Sequence, residues 1–440
     1  MGNGFAFGDP KPSPDNYNTF DPKDVFADSS INVTPVPEAI PKPWRPPSAM
    51  TLDEVLGTPA VQTIQASGTI VFHCIGDTGG VKEPAHQFAV ADAMTADYEN
   101  NKTGPPAFLY HLGDVVYFFG QEAYYFDQFY DPYRDYDAPI FAIPGNHDGV
   151  MFPKEPISFS LEPFWNNFCT KTTQHVSEAQ GCARTTMTQP GVYFTLDGPL
   201  VKIIGLYSNT SESVGTLRGP GSDTQQLTFL ATQLQAAASQ RKQGNQFALI
   251  IAVHHPPFTG SVDHFPSPAM LKDIDAACKQ AGIMPDLVLS GHAHLYERYT
   301  RTVGGNQIAY VVAGNGGYYN LVGMKKDKNG KPPTPGAKGT DGQGNPLVLN
   351  AYAESTFGFL RITIDAKSIS VESIGVDEQS GKTSDLDNFV VDLIKHRVSN
   401  AAGSKARAGQ RKTHLLEGST TRVRAAIRTA ARAARTKKKR

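Results

Sequence analysis

The sequence predicts an α/β fold, and three observations carry that prediction. Short apolar runs alternate with amphipathic segments through the middle of the chain, as layered α/β folds require. The first of these runs, Thr69-Ile70-Val71-Phe72-His73-Cys74-Ile75, is apolar almost throughout, as a strand buried on both faces would be. Five of the runs end in turns rich in side chains that can ligate a metal.

Taken in order, residues 1–50 are rich in Pro, Asp and Asn, with Pro35, Pro37, Pro41, Pro43, Pro46 and Pro47 close together. They read as an extended or disordered leader laid along the domain surface. Thr51-Leu52-Asp53-Glu54 has the capping-box pattern and opens a short helix that stops near Gly57. After the strand at 69–75 come a helix over 84–98 and a strand over 108–112. A Tyr/Phe-rich helix near 121–130 and a strand over 139–142 follow. Runs at 191–196 and 200–207 flank Asp197-Gly198 and read as a hairpin. A long amphipathic helix over 223–243 is ended by Gly244, and strand 247–253, helix 268–281 and strand 287–289 continue the alternation. Residues 308–313 form a further strand. The Lys/Gly/Pro-rich stretch 324–346 reads as a mobile inserted loop. Segments 358–364 and 368–374 form a closing hairpin, with 388–393 as a last strand.

The 440 residues can hold one large domain or two smaller ones, and 40% hydrophobic content suffices for a sizeable core. The net charge of −1 conceals an asymmetry. Residues 401–440 carry 13 Lys/Arg and one acidic residue, Glu417, leaving 28 basic against 41 acidic residues in the rest of the chain. No apolar run approaches the roughly 18 residues that a membrane span needs. The start, Met1-Gly2-Asn3-Gly4-Phe5, has neither a basic nor an apolar signal region, so a cytoplasmic chain without a secretory signal is expected. Four cysteines make no disulfide framework. Cys74 and Cys278 fall in apolar stretches and read as small core residues. Cys169 and Cys182 flank a polar loop and would pair only in an oxidising compartment.

The ligand-rich turns are Gly76-Asp77-Thr78-Gly79, Gly113-Asp114-Val115-Val116-Tyr117, Gly145-Asn146-His147-Asp148, Val253-His254-His255-Pro256-Pro257 and Gly291-His292-Ala293-His294-Leu295-Tyr296-Glu297-Arg298. In an extended loop His292 and His294, two residues apart, can point to the same side. Carboxylate, amide, phenol and imidazole donors suit a hard or borderline ion, unlike the cysteines of a structural zinc site.

In this order the motifs resemble the calcineurin-like metallophosphoesterase superfamily, and within it the purple acid phosphatases. The resemblance spans about residues 66–376. It implies a four-layer α/β sandwich of two mixed β-sheets flanked by helices, with metals held at strand C-termini. It also implies that Asp77, Asp114, Tyr117 and His294 hold one metal and that Asp114, Asn146, His254 and His292 hold the other, Asp114 bridging. Many superfamily members have Asp-x-His at the first motif, with that histidine a ligand. Here the position is Gly79, and a tyrosine stands three residues after Asp114, as in purple acid phosphatases. A phenolate favours a ferric ion, so the expected cofactors are Fe(III) and a second divalent metal, Fe, Zn or Mn. The other reading of Tyr117 is an aromatic packing beside Phe118 and Phe119.

By the same resemblance, His254 matches the family ligand and His255 a variable position. His147 would contact the phosphate, or else order its loop. His264 is similar to a substrate-facing histidine of plant-type members; its other reading is a surface-loop histidine. The implied reaction is hydrolysis of a small phosphate monoester by in-line attack of a metal-bound hydroxide. Two departures from the family are Thr78, where an aromatic is commoner, and Asp148, where plant-type members usually have Glu.

Two other functions fit the sequence. The same site would serve a phosphodiesterase. Alternatively, Arg424, Arg428, Arg432 and Arg435 at helical spacing and the closing Lys437-Lys438-Lys439-Arg440 would bind a polyanion such as nucleic acid, polyphosphate or anionic lipid. A solvated tail docked on the acidic body is the plainer reading of that segment. The expected organisation is a Pro-rich extension with a short helix (1–65), the metallophosphoesterase domain (66–376), a closing strand or helix (377–400) and a basic tail (401–440).

Overall fold

The computed structural model describes residues 40–80, 83–101, 104–149, 158–208, 214–219 and 223–401. Most of the leader and nearly all of the basic tail therefore lie outside the described residues. Among the described residues sixteen strands run in chain order. The first eight are β1 (Ala49–Thr51), β2 (Thr69–Ile75), β3 (Leu109–His111), β4 (Ile140–Ala142), β5 (Phe194–Asp197), β6 (Val201–Leu206), β7 (Ala248–Val253) and β8 (Leu287–Ser290). The second eight are β9 (Tyr296–Val303), β10 (Asn306–Ala313), β11 (Lys338–Thr340), β12 (Pro346–Ala353), β13 (Phe357–Asp365), β14 (Ser368–Val376), β15 (Thr383–Asp392) and β16 (Arg397–Asn400).

They form two mixed sheets. One has nine strands in the order β1-β5-β6-β7-β8-β10-β9-β12-β11, and the other has seven in the order β16-β15-β14-β13-β2-β3-β4. The period-2 alternation of strand side chains builds the layers. Ile70, Phe72, Cys74 and Ile362 of the seven-stranded sheet meet Ile203, Ile250, Leu287 and Val311 of the other in a central apolar layer. On the far face of the seven-stranded sheet, Ile75, Leu109 and Ile140 pack on Val90 and Met94 of the helix Ala85–Asn100 and on Tyr125, Phe129 and Tyr133. On the far face of the nine-stranded sheet, Ile204, Leu249 and Ile251 pack on Leu230 and Leu234 of the helix Gln225–Lys242. Ile274 and Cys278 of the helix Pro268–Ala281 complete that layer. This is the four-layer α/β sandwich of two mixed sheets flanked by helices.

Several elements differ from the sequence reading. The leader supplies β1, which pairs in parallel with β5 and buries Met50 in the central layer. The Tyr/Phe-rich segment is a 3-10 turn, Glu122–Tyr124, followed by a π-helical turn, Phe126–Tyr130, rather than an α-helix. Strand β9 eludes hydropathy because it spells Tyr-Glu-Arg-Tyr-Thr-Arg. Its charges are nonetheless buried, since they are paired. Arg298 binds Asp387 (Nη2 to Oδ1 3.1 Å), and Arg301 binds Asp275 (2.6 and 2.7 Å) and Asp341 (2.8 Å). Within the Lys/Gly/Pro-rich stretch, β11 lies on the sheet edge against β12. Residues 377–400 form β15 and β16 on the opposite sheet's edge. All four cysteines are free thiols. Among the described residues no helix is long and apolar enough to cross a membrane.

Candidate metal centre

Parallel strands β2, β3 and β4 lead into the turns that carry Asp77, Asp114 and Asn146, while β7 and β8 of the other sheet lead into those of His254 and His292. The five turns thereby meet at one edge of the sandwich. Asp77, Asp114 and His292 have left-handed backbones, with φ of 58°, 54° and 68°. Such a conformation costs about 1–2 kcal/mol per residue, and clustering of this kind marks a functional site.

The expected ligands assemble in two groups. In the first, the Tyr117 hydroxyl donates to Asp77 Oδ1 at 3.1 Å and lies 3.2 Å from His294 Nε2, which is 3.6 Å from the same Asp77 oxygen. In the second, Asn146 Oδ1 lies 3.0 Å from His254 Nε2 and 2.9 Å from His292 Nδ1. Asp114 stands against the second group, its Oδ2 3.5 Å from His254 Nε2, and ligand atoms of Asp77, Asp114 and His254 all lie within 4.8 Å of one another. Hydrogen bonds behind the ligands fix the tautomers. His254 Nδ1 donates to the Leu112 carbonyl at 2.8 Å and His294 Nδ1 to the Asn320 carbonyl at 3.1 Å, so each Nε2 faces the centre, where the His254 proton would leave on metal binding.

The electrostatics suit a cation. Burial raises Asp77 well above the carboxylate range, with the Asp114 charge adding to it and His254 opposing. Burial also works to raise Asp114, but the charges of His254 and His147 overcome it and hold that carboxyl low. For His254 burial opposes a proton, yet the Asp114 carboxylate outweighs it and lifts the ring to about 9. Burial keeps His292 well below the usual histidine value and brings His294 to about 3, leaving both in the neutral form that ligates metals. Asp114 Oδ2 is buried and makes no hydrogen bond. Two buried carboxylates, one with an unsatisfied oxygen, facing a phenol, an amide oxygen and imidazole lone pairs, are a donor set that fits metal ions.

The two histidines expected to meet substrate lie at the rim and are half-buried. His147 Nδ1 donates to the Phe118 carbonyl at 2.7 Å, and its ring centre is 4.4 Å from that of Tyr117. The His264 ring lies 4.6 Å from His292 and 4.9 Å from His294, with Nδ1 2.7 Å from Asp263. His255 is buried behind the centre, 2.8 Å from Ser208 Oγ and with its ring 4.1 Å from His292.

Three supporting side chains escape a sequence reading of roles. Gln128 is fully buried; its Oε1 accepts from Tyr117 N at 2.8 Å and its Nε2 donates to Tyr117 O at 2.7 Å. His111 accepts from Gly113 N at 3.2 Å and donates through Nε2 to Thr78 Oγ1 at 2.9 Å, tying the first two ligand turns together. Asp148, visible in the sequence only as a departure from Glu, accepts from Gly145 N (2.8 Å), Val115 N (3.1 Å) and Val116 N (3.1 Å). It thus latches the second turn to the third. Of the three, only Asp148 leaves a trace in the sequence, its place directly after Asn146-His147.

Among solved structures, the chain is similar to PhoD, with 12% identity and a TM-score of 0.47, over 84% of this chain and 78% of that one. It is also similar to GAP50, the anchor in the inner membrane complex of Plasmodium, with 15% identity and a TM-score of 0.46, over 72% of this chain and 88% of that one. A single mutant of Vps29 from Entamoeba histolytica shares 11% identity and a TM-score of 0.28, over 73% of this chain and 99% of that one. These distant likenesses carry no argument about activity. No curated protein matches the chain. The model of the calcineurin-like phosphoesterase family matches residues 70–296, a span that includes every expected ligand from Asp77 to His294. The chain belongs to the calcineurin-like phosphoesterases, a family that hydrolyses phosphoesters with bound metal.

Proposed function

We propose that the protein is a binuclear phosphomonoesterase of the purple acid phosphatase type. Asp77, Asp114, Tyr117 and His294 hold Fe(III), and Asp114, Asn146, His254 and His292 hold a divalent Fe, Zn or Mn. The observation that carries this reading is the relation between Gly79 and Tyr117. A Cβ at Gly79 would lie 2.7 Å from the Tyr117 ring and collide with the Gln128 amide. The tyrosine therefore occupies the space that a histidine two residues after Asp77 would need, and its hydroxyl reaches Asp77 and His294 instead.

When bound, such a metal pair supplies a clamp for phosphate oxygens and activates water. The chain's own residues do the rest. Asp114, low in pKa and buried, keeps a fixed negative charge between the two ligand groups. His147, held by the Phe118 carbonyl, and His264, held by Asp263, offer ring nitrogens to phosphate oxygens and to the departing oxygen. The carbonyl anchors at Leu112 and Asn320 keep the His254 and His294 rings from turning.

The test is the ratio of kcat/KM for an aryl phosphate monoester to that for the matching diester, on metal-replete protein. A strong monoester preference is expected. A strong diester preference would make the protein a phosphodiesterase and overturn the proposal.

A further inference from the structure

Strand β9 begins two residues after His294 and is anchored on both faces. Tyr296 and Arg298 point one way, to Asp387 on β15. Glu297 points the other way and is fully buried. Its Oε1 accepts from Gly260 N at 2.8 Å and from the Tyr299 hydroxyl at 2.8 Å. A fully buried carboxyl is costly to hold in a core position unless its hydrogen bonds are made, and two of those bonds run to Gly260 and Tyr299.

Gly260 opens the loop that carries Asp263 and His264. The loop is clasped on its other side, where Lys325 N donates to Gly260 O at 2.7 Å and Val262 N to Gly323 O at 3.0 Å. Within it Ser261 Oγ donates to Asp263 Oδ1 at 2.9 Å, and Asp263 in turn holds His264. The approach at Gly260 is close. A Cβ there would meet Met324 Cε at 2.8 Å, the Tyr299 hydroxyl at 3.1 Å and Glu297 Oε1 at 3.3 Å.

We propose that Glu297 is a positioning residue: its carboxylate ties the loop bearing His264 to the strand that leaves the ligand His294, so that the substrate-facing histidine and the metal ligands share one rigid frame. This rests on the reading of His264 as substrate-facing. The chain order makes the link economical. One short segment holds the ligands His292 and His294, and its next charged residue, Glu297, sets the distance to the rim.

The test compares Glu297→Met, similar in length but without an acceptor, with Glu297→Gln, which keeps one, and with Gly260→Ala, which pushes the loop off from the other side. On metal-replete protein, Glu297→Met and Gly260→Ala should each lower kcat for an aryl phosphate about tenfold or more, with metal content unchanged. Glu297→Gln should recover most of the native kcat. In a His264→Ala background Glu297→Met should add no further loss. Amide exchange at Gly260 should quicken in Glu297→Met only, relative to native and Glu297→Gln. Native kcat in Glu297→Met, or losses that add to those of His264→Ala, would overturn the proposal. If His264→Ala itself costs nothing, the reading of His264 fails. The Gly260 amide then decides alone: faster exchange in Glu297→Met supports the clasp, and unchanged exchange overturns it. Should Glu297→Met not fold, Gly260→Ala carries the same comparison.

Discussion

The side-chain amide of Gln128 closes on both backbone groups of Tyr117, at 2.8 Å to its N–H and 2.7 Å from its carbonyl. One buried residue thus replaces a strand partner for the residue whose hydroxyl reaches Asp77 and His294. Gln128→Ala should leave a buried N–H and a buried C=O unsatisfied and cost about 2 kcal/mol or more. Denaturant unfolding of the variant checks this, and an unchanged midpoint and slope would show that water repairs the gap.

Asp148 takes three backbone N–H groups from the turns that carry Asp114 and Asn146. Asp148→Asn turns one acceptor into a donor facing those N–H groups. Metal affinity, measured by competition with a chelator, should fall about 10- to 100-fold, the usual effect of losing a partner that orients metal ligands. Unchanged affinity would mean that the turns hold themselves.

Arg298 and Asp387 form a buried pair across the two sheets, with the guanidinium also 4.6 Å over the Phe389 ring. Asp387→Ala strands a buried cation, so the expected loss is about 3–5 kcal/mol. Thermal unfolding should show Arg298→Met with Asp387→Leu to be more stable than Asp387→Ala alone. The opposite order would contradict the assignment of the cost to an unpaired charge.

The candidate site is legible in the sequence because its expected ligands lie in turns that follow apolar strands. Five turns announce themselves by Gly, Asp, Asn and His, and the missing side chain at Gly79 points to Tyr117. The structure brings those residues together from both sheets. The supporting residues are not legible for a physical reason: Gln128 and His111 act on backbone groups and side chains of other turns, and nothing local distinguishes them from other polar residues. Strand β9 is hidden because hydropathy treats Glu297, Arg298 and Arg301 as solvent-seeking, whereas Asp387, Asp275, Asp341 and Gly260 satisfy them inside. β1 is hidden because proline and polar residues surround the three residues that pair with β5.

Acid should weaken the metal-free protein through His73. Its ring is fully buried, 2.8 Å from Asp97 and 3.1 Å from the Tyr136 hydroxyl, and burial lowers its pKa although Asp97 opposes. The unfolded chain takes that proton first, so the His73 contribution is level above the ordinary histidine value of about 6.5 and falls as pH drops below it. For Asp97 burial works upward, but the His73 hydrogen bond and charge outweigh it and hold the carboxyl low. Its contribution is present above the ordinary carboxylate value and is lost only as pH falls through its lowered one. Between about pH 7.5 and 5.5 the denaturant midpoint should drop, and less steeply in His73→Gln. A fall as steep in His73→Gln as in the native protein would contradict the assignment.

The central claim is that Tyr117 is a ligand to a ferric ion, and visible absorption tests it most directly. Iron-loaded native protein should show a phenolate-to-iron charge-transfer band, and Tyr117→Phe should lose the band together with its ferric ion or its colour. A Tyr117→Phe protein that keeps both its colour and its iron would contradict the account.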